Sequence, residues 1–219
     1  MKVLVIGANG GIGRLLIDRL VEAGHQARAM VRREQQVADL EAAGAEVVIA
    51  DLEGEAEPLE QAIAGVDAVV FSAGSGAKTG PDKTLLIDLH GAWRTIDACE
   101  RSGVDRYVMV SAMATDDITR GPEKIRHYLA AKAAADRLLM ASDLDWTVVR
   151  PGGLTDDEAT GSVAVGVPRL DERGSIPRAD VASVLLTSLE DGRTRGRVFE
   201  VVSGDTPVAE LGGVVDAAR

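Results

Sequence analysis

Two side chains able to move a proton, Tyr128 and Lys132, lie four positions apart in HYLAAKAAADRLL, residues 127–139. Positions four apart share one face of an α-helix, so the phenol and the ammonium would point the same way. A third polar group, the Ser111 hydroxyl, follows the apolar run VMV upstream. The pair is either a proton-transfer device or an exposed tyrosine and lysine on a helix surface. What the rest of the chain builds around the pair decides between these interpretations.

The elements that would position these groups are short apolar runs separated by longer helical patterns. Several runs are almost continuously apolar, as expected when both faces of a sheet are covered. This alternation predicts an α/β fold, a Rossmann-type doubly wound parallel sheet of about seven strands with helices on both faces. The predicted strands are 2–7, 26–32, 45–51, 67–73, 105–112, 145–151 and 197–202. The predicted helices are 11–23, 34–43, 58–64, 83–102, 127–141, 179–190 and 207–217.

Ligands of such sheets bind beyond the carboxyl ends of the strands, near the point where the strand order reverses. The residues that directly follow each predicted strand are therefore the candidates for function. They are residues 7–13, Arg32, Asp51, residues 72–74, Ser111 and residues 151–154.

The first predicted strand runs into GANGGIG, which has the glycine spacing of a dinucleotide-binding loop. Gly7 permits the tight turn, Gly10 lets the backbone approach a pyrophosphate, and Gly13 lets the helix pack on the strand. The helix that follows presents free N–H groups and its positive dipole end to the phosphates. We therefore predict that the whole loop binds a dinucleotide cofactor, through Gly7, Asn9, Gly10, Gly11, Ile12 and Gly13.

The second predicted strand ends in two arginines, Arg32 and Arg33. An acidic residue at this point binds the ribose 2′-hydroxyl of NAD, whereas an arginine accommodates the 2′-phosphate of NADP. Glu34 is the acidic competitor, but its position better suits the first turn of the next helix. We expect NADP(H) rather than NAD(H). The alternative for both arginines is a pair of solvated charges at a strand end.

The third and fourth predicted strands end in residues suited to the adenosine half of a dinucleotide. Asp51 could accept a hydrogen bond from the adenine amino group beside the backbone of Leu52, or it could simply start a turn. The small residues Ser72, Ala73 and Gly74 would let the cofactor ribose lie against the backbone.

Composition narrows the class of protein. The net charge of −11 argues against nucleic acid or an anionic membrane as a general partner. Cys99 is the single cysteine, so we expect it to be buried in a reducing, cytoplasmic protein without an internal disulfide. We find no signal peptide, no membrane-length apolar run, and no linker, and we expect one domain over residues 1–219. The histidines show no metal spacing, and the nucleophile elbow of serine hydrolases is absent.

These motifs together resemble the short-chain dehydrogenase/reductase superfamily. The residues that carry the resemblance are GANGGIG, the Asp51-Leu52 pair, Ser111 and YLAAK at 128–132. The stretches RPGGLTDDEATG (150–161) and IPRADVA (176–182) are similar to small atypical members, the NAD(P)-binding or epimerase/dehydratase-like proteins akin to the flavin reductase/biliverdin reductase B group. The resemblance covers nearly the whole chain and is specific for fold and cofactor class.

The resemblance implies a role for each catalytic candidate. Tyr128 would be the acid/base, with Lys132 lowering its pKa from about 10 and also bonding the nicotinamide ribose. Ser111 would hold and polarise the substrate oxygen. The backbone of Pro151 and Gly152 would contact the nicotinamide carboxamide, although a proline-glycine turn is also ordinary punctuation after a strand.

The segment that follows, residues 153–175, is polar and contains glycines, so we predict a loop on the substrate side of the site. Arg178 and Asp180 are expected to fix the start of the next helix and not to touch substrate, because an acidic residue there suits the helix dipole.

The predicted function is an NADP(H)-dependent oxidoreductase or epimerase-like enzyme that acts on a small carbonyl or hydroxyl compound. A nucleotide-binding sensor or scaffold without turnover is the alternative. A flavin or tetrapyrrole reductase ranks third, because aromatic residues make up only 3% of the chain and most of them fall in predicted strands. We expect a small-molecule substrate, no metal, and no nucleic-acid or membrane partner, and both monomer and homodimer stay open.

Overall fold

The computed structural model describes residues 1–76 and 78–218, and its centre is a mostly parallel β-sheet. Eleven strands are described, all seven of the predicted ones among them. In chain order, β1 to β11 are Lys2–Ile6, Gln26–Val31, Glu46–Ile49, Ala68–Phe71, Arg106–Val110, Asp145–Pro151, Gly153–Thr155, Ser162–Gly166, Ser175–Pro177, Arg197–Ser203 and Thr206–Pro207. The main sheet has the order β11-β8-β10-β6-β5-β4-β1-β2-β3, and β7 pairs with β9.

Helices cover both faces of the sheet. In chain order, α1 to α8 are Gly11–Glu22, Val37–Ala42, Ala56–Ile63, Pro81–Lys83, Ala92–Ser102, Arg126–Ala141, Arg178–Glu190 and Leu211–Ala217, and a π-helix, Thr84–Gly91, joins α4 to α5. Strand residues alternate between two cores: Val3 and Val5 pack with α1 and α7, whereas Leu4 and Ile6 pack with α3, α5 and α6. The doubly wound α/β prediction is confirmed.

The strand order reverses at β1, which pairs with β2 on one side and β4 on the other. The register places Ile6 beside both Met30 and Phe71, so the carboxyl ends of the three strands lie level. A crevice forms above such a reversal because the crossing connections leave in opposite directions. The fold thereby positions the loops after β1, β2 and β4 around one opening.

Two sequence predictions need correction. The sheet has more than seven strands, because β8 and β11 add an antiparallel edge beside β10. The segment 153–175, which we predicted to be a loop, contains β7, which pairs with β9, and β8, which belongs to that edge. Its short run SVAVG carries little periodicity of its own, and long-range pairing with β10 decides its structure.

The predicted helix 83–102 also differs, since its first half is π-helical. Cys99 is fully buried on α5, as expected. Within residues 1–76 and 78–218, no helix combines the length and the apolarity needed to cross a membrane.

Candidate functional site

A cleft of about 530 Å³ lies over the carboxyl ends of β1 to β4, where the strand order reverses. Its walls come from loops that the sequence predicted to bind a cofactor. Among the lining residues are Gly7, Asn9, Gly10, Arg32, Arg33, Asp51, Leu52, Ser72, Ala73 and Gly74. We call this space the strand-end cleft.

The glycine-rich loop forms one wall of the strand-end cleft, and two of its glycines are required by close contacts. Gly7 has a φ of +85°, and a Cβ there would lie 2.6 Å from the backbone nitrogen of Ala73. A Cβ on Gly13 would overlap the carbonyl oxygen of Gly7. Ile12 and Gly13 are buried beneath the loop and support it without lining the cleft.

The N-terminus of α1 is open toward ligands. Gly10 is its N-cap, without a side-chain hydrogen bond, and the first turn holds no acidic residue. Both Gly10 and Gly11 are exposed. Free N–H groups at the positive end of a twelve-residue helix form a place for a phosphate group.

Arg32 and Arg33 extend from the end of β2 at the rim of the cleft. Both are exposed, and within the described chain neither side chain forms a hydrogen bond or an ion pair. Glu34, the acidic competitor, begins a short 3₁₀ turn and does not line the cleft. The charge at this rim is therefore positive, which suits a phosphate better than a ribose hydroxyl.

The floor of the cleft is formed by the ends of β3 and β4. One carboxylate oxygen of Asp51 accepts a hydrogen bond from the backbone nitrogen of Glu53 at 3.0 Å, so the residue does close a turn. It nevertheless lines the cleft beside Leu52. Ser72 donates its hydroxyl to the carbonyl oxygen of Ile6 at 3.2 Å, which ties β4 to β1. Asp51 thus holds a turn and also faces the cleft, and its contact with an adenine stays a prediction.

A second cavity of about 360 Å³, the Ser111–Tyr128 cavity, lies beyond the ends of β5 and β6. Ser111, Tyr128, Pro151 and Gly152 line it together. The Ser111 hydroxyl is buried and has no hydrogen-bond partner among the described residues. A buried polar atom without a partner is costly unless a ligand supplies one. The structure therefore brings two of the three catalytic candidates to one space.

Tyr128 is half-buried on α6, and its environment differs from the prediction. Burial raises its pKa, and the carboxylates of Asp88 and Asp136 raise the pKa further. The sequence predicted a lowered pKa through Lys132. That prediction is wrong for this structure, because burial disfavours the phenolate most and the two carboxylates add to that effect. A pKa raised above its ordinary value keeps the phenol protonated in the neutral range.

Lys132 is almost completely buried and lines neither cavity. Its nitrogen lies 5.5 Å from the centre of the Phe71 ring, in a cation–π contact. Burial lowers its pKa, and Asp88 and Asp136 oppose that change. The predicted convergence of three groups is therefore incomplete, since the ammonium lies beneath the site.

Two carboxylates behind Tyr128 were missed from the sequence. Asp136 accepts hydrogen bonds at 3.0 Å from both the Arg150 side chain and the Thr115 hydroxyl. Its spacing of four residues from Lys132 on α6 was a signal that could have identified it. Asp88 lies on the π-helix, and its carboxylate accepts a hydrogen bond from the backbone N–H of Ser75 at 3.0 Å. No pattern in the sequence indicated this residue.

The backbone after β6 is largely used by the protein itself. The Gly152 nitrogen donates to the carbonyl oxygen of Val201, and the Pro151 oxygen accepts from Met113, both at 2.9 Å. A Cβ on Gly152 would overlap the carbonyl oxygen of Gly174. The two residues line the Ser111–Tyr128 cavity, but these two backbone groups already have partners.

Arg178 lies at the site, contrary to expectation. A Cβ on Gly11 would lie 2.7 Å from its Cδ, so the side chain rests on the glycine-rich loop. Arg178 also lines the Ser111–Tyr128 cavity. Asp180 holds the connection before β8, because it accepts hydrogen bonds from Thr160 and Gly161 at 2.9 Å. In residues 1–76 and 78–218, no cluster of His, Cys, Asp and Glu could hold a metal ion.

Comparison with known proteins agrees with this geometry. The profile of the NAD(P)H-binding family matches residues 7–192. The uncharacterized sugar epimerase YhfK of Bacillus subtilis is 47% identical, over 96% of this chain and 98% of its own. A solved structure from Bacillus halodurans bears the name of an NAD-dependent epimerase/dehydratase. It matches with a TM-score of 0.93 at 47% identity, over 98% of this chain and 99% of its own.

The fold is also shared by ChuY, an anaerobilin reductase from Escherichia coli O157:H7. Its structure matches with a TM-score of 0.82 at 23% identity, over 94% of this chain and 98% of ChuY. At this level of identity the likeness concerns the fold. The resemblance drawn from the motifs is confirmed at the level of a Rossmann-like epimerase/dehydratase fold.

Proposed function

The chain belongs to the NAD(P)H-binding family, and from this premise we propose that it is an NADP(H)-dependent enzyme that reduces a small carbonyl compound or oxidises the corresponding alcohol. An epimerase-like cycle, in which one carbon is oxidised and reduced again, uses the same groups. The observation that carries the proposal is the shared cavity of Ser111 and Tyr128, with a buried serine hydroxyl that lacks a partner in the described chain.

The strand-end cleft would hold the adenosine half of the cofactor. The pyrophosphate would lie at the N-terminus of α1 over Gly10 and Gly11, and the adenine would lie near Asp51 and Leu52. The unpaired, exposed Arg32 and Arg33 support a 2′-phosphate, and hence NADP(H). The nicotinamide would then extend into the Ser111–Tyr128 cavity.

The bound cofactor supplies the hydride, and the chain supplies hydrogen bonds and a proton. Tyr128 would donate its phenolic proton to the carbonyl oxygen as negative charge develops there. Ser111 would donate a second hydrogen bond to the same oxygen. The raised pKa keeps Tyr128 protonated, which is the state that the phenol must have at the start of a carbonyl reduction.

Lys132 would act from beneath this site. Burial disfavours the protonated state of Lys132, and the carboxylates of Asp88 and Asp136 favour it. When protonated, Lys132 would offset part of the negative charge of these two carboxylates behind the phenol. A direct bond to the nicotinamide ribose, implied by the family resemblance, would need the side chain to leave its contact with Phe71.

A non-catalytic NADP(H)-binding sensor is the second candidate. The burial of Lys132 away from both cavities favours it, because a catalytic lysine would be expected to line the site. A flavin or tetrapyrrole reductase stays third, since Tyr128 is the single aromatic residue among those that line the described Ser111–Tyr128 cavity.

Titration with NADP(H) and NAD(H) tests the cofactor assignment. We expect wild-type protein to prefer NADP(H), and Arg32→Ala to weaken NADP(H) about 10- to 100-fold while leaving NAD(H) unchanged. Arg137→Ala, which removes an exposed arginine from α6, is the matched control. Equal affinity of the wild type for the two cofactors would overturn the assignment. A panel of aldehydes, ketones, quinones and flavins then tests turnover.

A further inference from the structure

The charged residues that line the Ser111–Tyr128 cavity are basic, although the protein as a whole is strongly acidic. The chain carries a net charge of −11, yet none of the described residues lining this cavity is Asp or Glu. Two arginines, Arg173 and Arg178, line it instead. The charge of the lining residues is therefore opposite to that of the whole molecule.

Arg178 has one ion-pair partner, and a ligand could replace that partner at its guanidinium group. Its side chain lies against Gly11, and its Nη1 pairs with the Asp156 carboxylate at 2.6 Å. The Asp156 side chain is 89% exposed, whereas that of Arg178 is 29% exposed. A carboxylate so open to water contributes little through an ion pair. A ligand anion in the cavity can replace Asp156 without leaving a buried charge behind.

Arg173 approaches the same cavity from the segment before β9. It is exposed and, inside the described ranges, forms no ion pair. Gly174, which follows it, packs against Val202 and beside Gly152, so the backbone that carries Arg173 is fixed against the cavity wall. An unpaired arginine on a fixed segment is available to a ligand.

We propose that Arg173 and Arg178 form an anion-binding subsite and that the substrate is a small carbonyl compound bearing a carboxylate or phosphate group. The anion would bind between the two guanidinium groups, which recognise such groups through paired N–H donors. The carbonyl oxygen would then reach Ser111 and Tyr128 in the same cavity. This inference rests on the proposed function for the carbonyl, but the anion subsite is testable without turnover.

Binding to the cofactor-saturated protein tests the subsite directly. Calorimetric titrations with benzoate, inorganic phosphate and the neutral isostere benzamide would be made at saturating NADP⁺. We expect benzoate or phosphate to bind at least about tenfold more tightly than benzamide, and Arg173→Ala and Arg178→Ala each to lower that affinity about tenfold or more. Arg178→Lys should lie between, because it keeps the charge and loses the paired donors.

Arg137→Ala, with the same loss of one charge at an exposed position on α6, should bind the anions like the wild type. Anions that bind no better than benzamide would overturn the proposal, as would unchanged affinity in both arginine variants. The alternative role for Arg178 is to bind the cofactor pyrophosphate. In that case Arg178→Ala weakens NADP⁺ about tenfold or more and leaves anion affinity at saturating NADP⁺ unchanged, which also overturns it.

These outcomes are separate from failure of the proposed function. If the protein binds anions through both arginines but reduces no carbonyl compound, the subsite stands and the enzymatic proposal fails. If the protein is a reductase with equal kcat/KM for 4-formylbenzoate and its methyl ester, in wild type and in Arg178→Ala alike, only the subsite proposal fails.

Discussion

Tyr128 is the residue on which the proposed chemistry depends most. Replacing it with phenylalanine removes the proton donor and leaves the ring that lines the cavity. We expect kcat/KM for carbonyl reduction to fall about 10²- to 10⁴-fold, with most of the affinity for NADPH retained, because the strand-end cleft that would hold the adenosine and pyrophosphate does not include this residue. Steady-state kinetics and NADPH titration measure the two effects.

The other tyrosine of the chain, Tyr107, provides the matched control. It is fully buried, and its hydroxyl lies 2.7 Å from that of Thr95. Tyr107→Phe should cost about 1 kcal/mol of stability and leave kcat/KM unchanged. Equal activity in wild type and Tyr128→Phe would remove Tyr128 from the mechanism and favour the sensor interpretation.

The direction of the Tyr128 pKa shift predicts the pH dependence. Because burial and two carboxylates raise this pKa above its ordinary value of about 10, the phenol keeps its proton throughout the neutral range. The rate of the reduction step should therefore show no alkaline fall from Tyr128 between about pH 6 and pH 9. A kinetic pKa near 7 that is present in wild type and absent from Tyr128→Phe would show that Lys132 lowers the value after all.

At the residue scale, the sequence identified the catalytic candidates, but it did not reveal their burial or the direction of their pKa shifts. Ser111 and Tyr128 were recognised by type and spacing, and they line one cavity. Burial and the carboxylates of Asp88 and Asp136 raise the pKa of Tyr128, and Asp88 lies on a π-helix that no local pattern revealed. Arg178 was assigned to a helix start because its contact with Gly11 spans most of the chain.

The β1–α1 unit is the element that would bind the cofactor pyrophosphate, and its geometry depends on Gly13. A methyl group there would overlap the backbone of Gly7 and Ala8, which cannot move without shifting α1 or the strand. We expect Gly13→Ala to lower the free energy of unfolding by about 1–3 kcal/mol and to weaken NADP(H) binding. Urea denaturation and cofactor titration measure these changes.

Gly213→Ala is the control for this substitution. Gly213 lies inside α8, and the nearest heavy atom to its new Cβ would be a flexible arginine nitrogen at 3.4 Å. The change should raise stability by up to about 1 kcal/mol through helix propensity. A Gly13→Ala protein with wild-type stability and affinity would show that the loop does not need this close packing.

The elements that the sequence predicted are those with a clear period or a nearly unbroken apolar run. All seven parallel strands have continuous or β-branched cores. Strand β8 was missed because its residues become a strand only through pairing with β10 and β11, which follow it in the chain. Pairing across such distances is decided by tertiary context and not by local propensity.

Across the whole molecule, Glu200 joins the loop after β5 to the segment between β8 and β9. It is fully buried on β10 and accepts hydrogen bonds at 2.9 Å from the backbone nitrogens of Ala114 and Leu170. Arg120 lies 3.6 Å from the same carboxylate. Ala114 has a φ of +70°, so this contact also holds a conformation that alanine rarely adopts.

We therefore expect Glu200→Gln to destabilise the fold by about 1–3 kcal/mol, because an amide has a single oxygen and cannot accept both backbone hydrogen bonds. Arg120 also loses one of its two carboxylate neighbours and keeps Asp116 at 3.0 Å. Glu210→Gln, at an exposed position, should stay within about 0.5 kcal/mol of wild type. Denaturant midpoints of the two variants compare the effects. Matching midpoints would mean that the Glu200 carboxylate does not stabilise these two segments.

At the level of the molecule, the sequence located the strand-end cleft almost completely, because the glycine spacing and the strand ends obey a topological rule. It did not reveal the charge of the second cavity. Arg173 and Arg178 meet there only after the segment before β9 folds back along β10 and Gly174 packs on Val202.

A crystal structure of the protein with bound NADP⁺ would show whether one cofactor molecule extends from the strand-end cleft into the second cavity. We expect the pyrophosphate at the N-terminus of α1 and the nicotinamide in the Ser111–Tyr128 cavity. The Tyr128 hydroxyl should be placed to reach a carbonyl oxygen whose carbon lies about 3–3.5 Å from C4 of the ring. A nicotinamide turned toward solvent, with the phenol directed away from it, would contradict the enzymatic account and leave only a nucleotide-binding protein.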